Sequence, residues 1–539
     1  MILAVVMMVV LPLAMAALLV LPPLRPVIVR ALGLAPVPAL LLLPGAWNGG
    51  SSTFVLQGGW TYVIDQAGAL MLAASTLLWI VAGFAASRWL GGREGQGRFA
   101  LWWLLTLAGS LGVFVAGDVV SFYALYALAS LPAYGLIAFG GSAEDRRAGR
   151  ITLAAALVGE GLILAAFVLM AVAASGQGLS IAVVMNALPQ SPHCGLVIAL
   201  VVIGFGLKIG LVPLHGWMPL SYAAGPVVAT AVLSGATSKA GIIGLMRFLP
   251  LDAAMPLAGG ALVVAGLFSA FYGAVLGLTQ TNPRSVLAYS SISQLGQMAA
   301  VLGAGLAAGV PGAGVIVAYY AAYHVLVKGG LFLALGAREQ GKAMARWQFA
   351  LAGFAALGFA GLPLSGGALG KLAFKDVAGS GVSGLLLSLA AVGSTVLVMH
   401  FLRLLRAAAG QPKPDTLAAA AWIGLAIAAT LLQWSLFAAV TGVAADYALK
   451  PSVLFDLAWP IAVGGLIGWG LAVAGTQLPR LPPGDIGAAA IDMVEHASQR
   501  MAPRISQLEQ RSRHWPVSST LLVVTLIVFA VSLGLGSTR

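Results

Sequence analysis

Four lysines interrupt apolar stretches that are each long enough to cross a lipid bilayer: Lys208, Lys239, Lys328 and Lys371. A charged side chain at the centre of a spanning helix costs roughly 2.5–3.5 kcal/mol, so four of them cost on the order of 10 kcal/mol. Such residues mark ion or proton pathways more often than not. We therefore interpret the four lysines as candidate proton carriers.

The first lysine stands shortly before a helix-breaking segment. Pro213 follows Lys208, and His215 lies two residues beyond this proline. A broken helix at membrane depth is tolerated only inside protein or beside a water-filled cavity. Because water, a lysine and an imidazole together can make a proton path, His215 joins the candidates.

The next two lysines have different surroundings. Lys239 follows a run of small residues, Ser234–Ser238, which permits close helix packing and leaves room for water. His324 and Lys328 are four residues apart, so they share one helix face and repel one another when both are charged. His324 and Lys328 are therefore candidate proton-transfer groups, as is Lys239.

The fourth lysine follows a second interrupted helix. Lys371 comes after Pro363 and the pair Gly366 and Gly367. Two interrupted spans in corresponding halves of a chain indicate a transporter built from inverted repeats. Lys375, one turn later, is expected at the outer membrane interface.

Acidic residues are rare inside the predicted spans. Glu160 is the only acid clearly at the centre of one, whereas Asp65 and Asp118 lie near span boundaries. We expect Glu160 to be a proton donor or the ion-pair partner of a lysine.

Composition defines the class of protein that must position these residues. The 539 residues are 60% apolar and 8% charged, where a soluble chain has about 25% charged residues. The continuous apolar runs predict an all-α polytopic membrane protein and exclude a β-barrel. The single cysteine, Cys194, excludes an internal disulfide, a multi-cysteine zinc site and a cysteine-ligated iron–sulfur cluster. No cofactor or metal is predicted.

Apolar windows predict about sixteen transmembrane helices, of which residues 1–21 form a retained first span and 27–45 the weakest one. The net charge of +12 resides mainly in alternate short loops. This pattern predicts an N-terminus on the outside and a membrane protein rather than a nucleic-acid binder. Residues 484–512 are predicted to form an amphipathic helix on the inner surface, or a loose connector, before a closing span at 516–536.

The chain resembles the antiporter-like subunits of respiratory complex I, of membrane-bound hydrogenases and of Mrp cation/proton antiporters. The resemblance covers roughly residues 100–405 and rests on five stretches. These are Lys208–Pro219, Ser234–Gly241, Asn282–Gly296 with its Leu-Ala-Tyr-Ser-Ser-Ile run, His324–Gly330 and Gly361–Lys371.

The resemblance implies a core of fourteen helices with two inverted five-helix repeats, and a row of protonatable residues in the membrane plane. The predicted regions are N-terminal transmembrane helices at 1–97, a first repeat at 98–248 with a broken helix at 208–219, a second repeat at 249–405 with a broken helix at 361–371, C-terminal transmembrane helices at 406–483, and the amphipathic helix with the final transmembrane helix at 484–539.

One departure from the family concerns the partner of Lys208. The family usually has a glutamate in the fifth span that pairs with this lysine, but the aligned position here is Ala127. Either Glu160 on the next helix replaces it, or the first half-channel works differently or not at all.

The function implied is that of a proton-translocating subunit of a larger membrane complex in a bacterial or archaeal-type plasma membrane, with other membrane subunits as partners. Any redox chemistry would belong to those partners. The alternatives are a subunit of a non-redox transporter, either an Mrp antiporter or an inorganic-carbon uptake pair, and a structural relative that does not pump. Protons are favoured over Na+ because the carboxylates are few.

Overall fold

The computed structural model describes residues 2–45, 51–55, 59–340, 344–407, 416–474 and 479–485, and the single positions 487, 493 and 500. These residues are mostly helical. The α-helices are α1 Ile2–Leu18, α2 Arg25–Arg30, α3 Gln66–Leu90, α4 Gln96–Gly112, α5 Val119–Ser130, α6 Ala133–Ile137, α7 Ala143–Ala173, α8 Ile181–Ala187, α9 Cys194–Ile209, α10 Trp217–Ala224, α11 Val227–Val232, α12 Lys239–Phe248, α13 Pro256–Leu278, α14 Pro283–Ala308, α15 Ala313–Glu339, α16 Arg346–Leu357, α17 Gly366–Ala378, α18 Val382–Ala407, α19 Thr416–Thr441 and α20 Pro451–Val473.

Within the described ranges, nine helical segments are long and apolar enough to cross a membrane. The chain is therefore a polytopic helical membrane protein. The other predicted spans include α9, which is short, and α14, whose buried face carries serines and glutamines. The weak span expected at 27–45 is not one helix, because α2 ends at Arg30 and a separate 3-10 helix covers Val37–Gly45. The predicted closing span at 516–536 lies outside the described residues, as does nearly all of the predicted amphipathic helix.

The prediction that the chain is wholly α-helical missed one hairpin. Strand β1 Ser52–Val55 pairs antiparallel with β2 Thr61–Ile64, in a register that places Ser52 opposite Ile64. Threonine, tyrosine, valine and isoleucine favour strands, and β2 alternates between half-buried and buried side chains. The backbone N–H of Thr61 donates a hydrogen bond of 2.6 Å to Asp118, which ties the hairpin to the start of α5.

Helices α13 and α14 pack backbone to backbone. Gly259, Gly266 and Gly273 repeat every seven residues along α13 and face α14. A Cβ atom added at Gly266 would lie 2.5 Å from the backbone of α14, closer than real Cβ contacts. Small residues at this spacing permit the close approach of two membrane helices.

The most buried elements of the fold are α14, α15 and the helical segment 227–248. Most of their side chains are inaccessible to solvent, including the polar and charged ones. All of these elements belong to a compact unit of residues 1–484. Residues 485–539 form a second unit, in which the described positions are 485, 487, 493 and 500.

Candidate functional site

One face of α14 holds the amines of two of the predicted lysines. Ser290, Gln294 and Gln297 are spaced by four and three residues, so they share a helix face. Lys328 Nζ donates hydrogen bonds to Ser290 Oγ at 3.0 Å and to the carbonyl of Leu287 at 3.2 Å. Lys371 Nζ donates to Gln294 Oε1 at 3.4 Å and also to Gln297 Oε1. A single helix thus connects α15 and α17 through polar groups.

The third amine is held by residues of its own helical segment, which contacts α14 at Ser234. Lys239 Nζ donates to the carbonyl of Ser234 at 2.8 Å and to Ser238 Oγ at 3.1 Å. The hydroxyl of Ser234 lies 3.2 Å from that of Ser291 on α14. A π-helical turn, Leu233–Thr237, precedes Lys239, and such turns are frequent at functional sites.

His324 lies within electrostatic range of the three amines of Lys239, Lys328 and Lys371. Its side chain is completely buried, and neither ring nitrogen has a hydrogen-bond partner among the described residues. The ring packs beside Phe359, with 5.2 Å between the ring centroids. A buried imidazole without fixed partners is able to exchange a proton through either nitrogen.

Lys208 occupies a separate position in the other half of the molecule. Its Nζ donates a hydrogen bond of 2.8 Å to Ser130 Oγ, at the end of α5. A cavity of about 20 Å³ adjoins the amine and is lined by Thr152, Gly159 and Trp217 among others. This volume is enough for one water molecule.

Glu160 is buried on α7, which packs against the helix of Lys208. Its carboxylate interacts electrostatically with Lys208, but the direct hydrogen-bond partner of that amine is Ser130. One carboxylate oxygen of Glu160 has no hydrogen-bond partner in the part of the chain that the structure describes. The first lysine therefore has a hydroxyl in contact and a carboxylate nearby, rather than the direct pair that replacement of the family glutamate by Glu160 would give.

The first helix interruption begins directly after Lys208. Helix α9 ends at Ile209, and Gly210 adopts the left-handed conformation with a φ of 70°. Trp217 Nε1 donates a hydrogen bond of 2.8 Å to the carbonyl of Leu207, which satisfies a group at the helix end. His215 lies in the turn before α10 and is buried, with its ring 5.0 Å from that of Tyr272.

The second interruption precedes Lys371. Helix α16 ends at Leu357 and a short 3-10 turn follows, after which Gly361 has a φ of 93°. Ser365 caps α17 by accepting a hydrogen bond of 3.2 Å from the N–H of Ala368. Lys371 thus lies in the second turn of a helix that starts inside the protein.

The two acids at span boundaries have structural roles. Asp65 caps α3 by accepting a hydrogen bond of 2.8 Å from the N–H of Gly68, and it forms an ion pair with Arg247. Asp118 caps α5 through Ser121 at 2.7 Å and also accepts from the N–H of Thr61. These contacts anchor helix ends and the hairpin.

All four lysine amines are held by neutral oxygen atoms. A permanently charged buried amine without a counter-ion is costly, so the surroundings of Lys239, Lys328 and Lys371 suit groups that gain and lose a proton. Lys208 differs in that the carboxylate of Glu160 lies nearby. Among the described residues, no group of three or more histidine, cysteine, aspartate or glutamate side chains is placed to hold a metal ion.

Residues 116–398 match the model of a protein family described as NADH:quinone oxidoreductase/Mrp antiporter, transmembrane. The match spans more than half of the chain and includes all seven candidate residues. The chain belongs to this family. The resemblance drawn from the motifs is therefore confirmed.

Three related proteins show how far the similarity extends. The NADH-quinone oxidoreductase subunit N of Desulforudis audaxviator is 31% identical over 280 residues, which are 51% of this chain and 55% of that protein. A Na(+)/H(+) antiporter subunit of Alkalihalophilus pseudofirmus is 27% identical over 290 residues, which are 52% of this chain and 57% of that protein. In the solved Mrp complex from Dietzia sp., one chain has the same fold with a TM-score of 0.75 and 21% identity, covering all of this chain and 63% of that one. The chain thus matches about half the length of the two curated relatives.

Sequence reasoning missed the oxygen atoms that hold the lysines. Ser130 is three residues after Ala127 and shares its helix face, so it was available as a partner where the glutamate is absent. The spacing of Ser290, Gln294 and Gln297 also marked a polar stripe on an otherwise apolar helix. The sequence alone does not indicate which lysine each of these serine and glutamine side chains contacts.

Proposed function

We propose that this chain is a proton-translocating membrane subunit of a multisubunit complex. The observation that carries the proposal is the polar face of α14, which holds the amines of Lys328 and Lys371 and contacts the segment before Lys239 through Ser234. His324 lies within electrostatic range of all three amines. Serine hydroxyls both donate and accept hydrogen bonds, so they can pass a proton between amines. Glutamine side chains position the amine of Lys371.

The first half-channel consists of Lys208, Glu160 and His215 near the interruption after α9. The small cavity beside Lys208 supports it, since a single water there would extend the reach of the amine. The electrostatic interaction of Glu160 with Lys208 supports an indirect exchange between them. In this proposal Ser130 holds the amine while Glu160 supplies the proton.

The proposed architecture is a core of fourteen helices with inverted repeats at residues 98–248 and 249–405. Its support is one interrupted helix with a buried lysine in each region. The N-terminus is proposed to lie outside a bacterial or archaeal-type plasma membrane, because the basic residues favour alternate loops on the inside. Residues 484–539 are proposed to add an amphipathic helix and a final transmembrane helix.

The proposed partners are other membrane subunits, which would supply the coupled reaction. The relatives support this, since the protein from Desulforudis audaxviator is named as a subunit of a quinone oxidoreductase and that from Alkalihalophilus pseudofirmus as a subunit of a Na(+)/H(+) antiporter. The identity of the co-purifying subunits discriminates a redox-driven complex from a non-redox transporter. Protons are the proposed ion, with Na+ as the alternative.

Replacement of Lys239 tests the function. We expect Lys239→Ala to leave the complex assembled and to lower proton translocation in proteoliposomes by about a hundredfold or more, as removal of a proton-transferring group does. Lys450→Ala is the control, because that lysine is exposed and outside the network. Full proton flux through an assembled Lys239→Ala complex contradicts the proposal, and would leave the chain as a structural relative that does not pump.

A further inference from the structure

A cavity of about 30 Å³ adjoins Lys371 of α17. Its lining includes Lys371 and Lys375 of α17, Ser388 of α18 and Asp456 of α20. The volume is sufficient for one water molecule, and the lining offers the polar partners that such a water needs. The side chain of Lys371 therefore has a second polar neighbourhood besides Gln294 and Gln297, to which its amine is hydrogen-bonded.

The opposite side of this cavity reaches the surface of the protein. Asp456 Oδ2 lies 3.8 Å from Lys375 Nζ, and the two side chains are 63% and 35% exposed, whereas Lys371 is buried. Lys375 is in the last turn of α17, before the loop at 379–381. In the proposed orientation this loop lies on the outer side of the membrane, opposite the basic loops.

We propose that Asp456 is the proton-relay residue through which Lys371 releases its proton to the outer side. The inference rests on the proposed function and extends it to a residue outside the family match of 116–398. An N–H bond of the Lys371 ammonium breaks, and a water in the cavity accepts that proton while giving one of its own to the Asp456 carboxylate. The products are a neutral amine, an unchanged water and a carboxylic acid, which then loses its proton to bulk water.

Lys375 positions the carboxylate of Asp456 without holding it permanently in its charged form. An ion pair at 3.8 Å between partly exposed side chains is weak, because solvent screens the charges. The carboxylate of Asp456 therefore stays at the mouth of the cavity and remains available to take up a proton. A tightly buried pair would hold it charged and would not serve as a relay.

Removal of the carboxylate tests the relay. In proteoliposomes that contain the whole complex, we expect Asp456→Asn to lower proton flux by about a hundredfold and Asp456→Glu to restore most of it. Asp376→Asn is the matched control, since this exposed acid is on α17 but does not line the cavity. Its flux should stay within about twofold of the wild-type value, a change too small for loss of a transferring group.

The outcomes separate the relay from the proposed function. Normal flux in Asp456→Asn together with lost flux in Lys371→Ala overturns the relay and leaves the function intact. Normal flux in Lys371→Ala and Lys239→Ala overturns the function itself. Equal losses in Asp456→Asn and Asp456→Glu also overturn the relay, because a carboxylate at this position would then have no special value.

Labelling tests the access that the relay requires. In a Cys194→Ser background, Asp456→Cys should react with a membrane-impermeant maleimide added from the outer side, because the Asp456 side chain is 63% exposed. Ser394→Cys is the control and should stay unreacted, since Ser394 is buried against Gln294. Reaction of Asp456→Cys from the inner side alone, or from neither side, contradicts an outer exit at this cavity.

Discussion

Lysine amines bound to neutral oxygens set the chemistry at the scale of single residues. Lys208 has a serine hydroxyl as its partner, Lys239 a serine hydroxyl with a backbone carbonyl, and Lys371 glutamine carbonyls. An ion pair would fix the proton, because separating two opposite charges inside a protein is costly. Neutral acceptors bind the amine without this penalty, so they permit the proton to leave.

The carboxylate of Glu160 gives the prediction for the first half-channel. If Glu160 supplies protons to Lys208, Glu160→Gln should lower transport more than Glu160→Asp does, because only the latter keeps a titratable group. Restoring a glutamate with Ala127→Glu in the Glu160→Gln background should recover part of the activity, since position 127 is one turn from Ser130. The measurement is proton flux in proteoliposomes.

One result would contradict this role for Glu160, and a second would limit it. Equal flux in Glu160→Gln and the wild type would show that the carboxylate is not needed. A loss in Glu160→Gln that persists after Ala127→Glu would show that a carboxylate at position 127 does not replace Glu160. In the first case the first half-channel works without the carboxylate of Glu160.

At the scale of elements, α14 acts as the shared support of the network. Its polar face contacts Lys328 and Lys371, while a neighbouring side of the helix packs on the glycines of α13. The packing on α13 sets the position of the polar face, because the close approach of the two helices fixes where the serine and glutamine side chains of α14 lie. A displacement of α14 would therefore change the hydrogen bonds of both amines together.

Glycine-to-alanine substitutions on α13 test whether its packing supports α14. Gly266→Ala should destabilise the protein by about 1–3 kcal/mol, because the new Cβ would overlap the backbone of α14. Gly260→Ala is the matched control on the same helix, where a Cβ would meet no atom within 4 Å. Thermal unfolding of the purified protein in detergent measures both, and equal melting temperatures for the two variants would contradict the packing.

At the scale of the whole molecule, the proposed proton path has two parts. The protonatable groups form one connected cluster around α14 and a second near Lys208. Relatives of the chain are named as subunits of a quinone oxidoreductase and of a Na(+)/H(+) antiporter, so related chains belong to different assemblies. In the proposed function, coupling to a partner acts on the proton affinity or the position of these groups.

The side chains of the candidate site bear on the choice of ion. Amines and an imidazole do not bind Na+, which prefers carboxylate and carbonyl oxygens, and Glu160 is the one acid placed among the candidates. We expect proton flux in proteoliposomes to be unchanged when Na+ is replaced by K+. A requirement for Na+ would contradict proton-only transport and would point to an ion site supplied by a partner subunit.

Apolar run length and the rarity of charge determined the class of this protein from sequence alone, because the bilayer accepts only internally bonded backbone. The motifs around the lysines were sufficient to identify the protein family. The hairpin at 52–64 escaped prediction because the signal of two four-residue strands is weak beside long apolar helices. The number of spans stayed open, since short and polar helices such as α9 and α14 depend on burial by neighbours.

The partners of the lysines were decided only by the tertiary structure. Ser130 is 78 residues from Lys208, and Gln297 is 74 residues from Lys371. Local spacing predicts which residues share a helix face, but it does not predict which faces of two distant helices meet. That depends on packing, here on the glycines that bring α13 against α14 and on the helix interruptions that turn Lys208 and Lys371 inward.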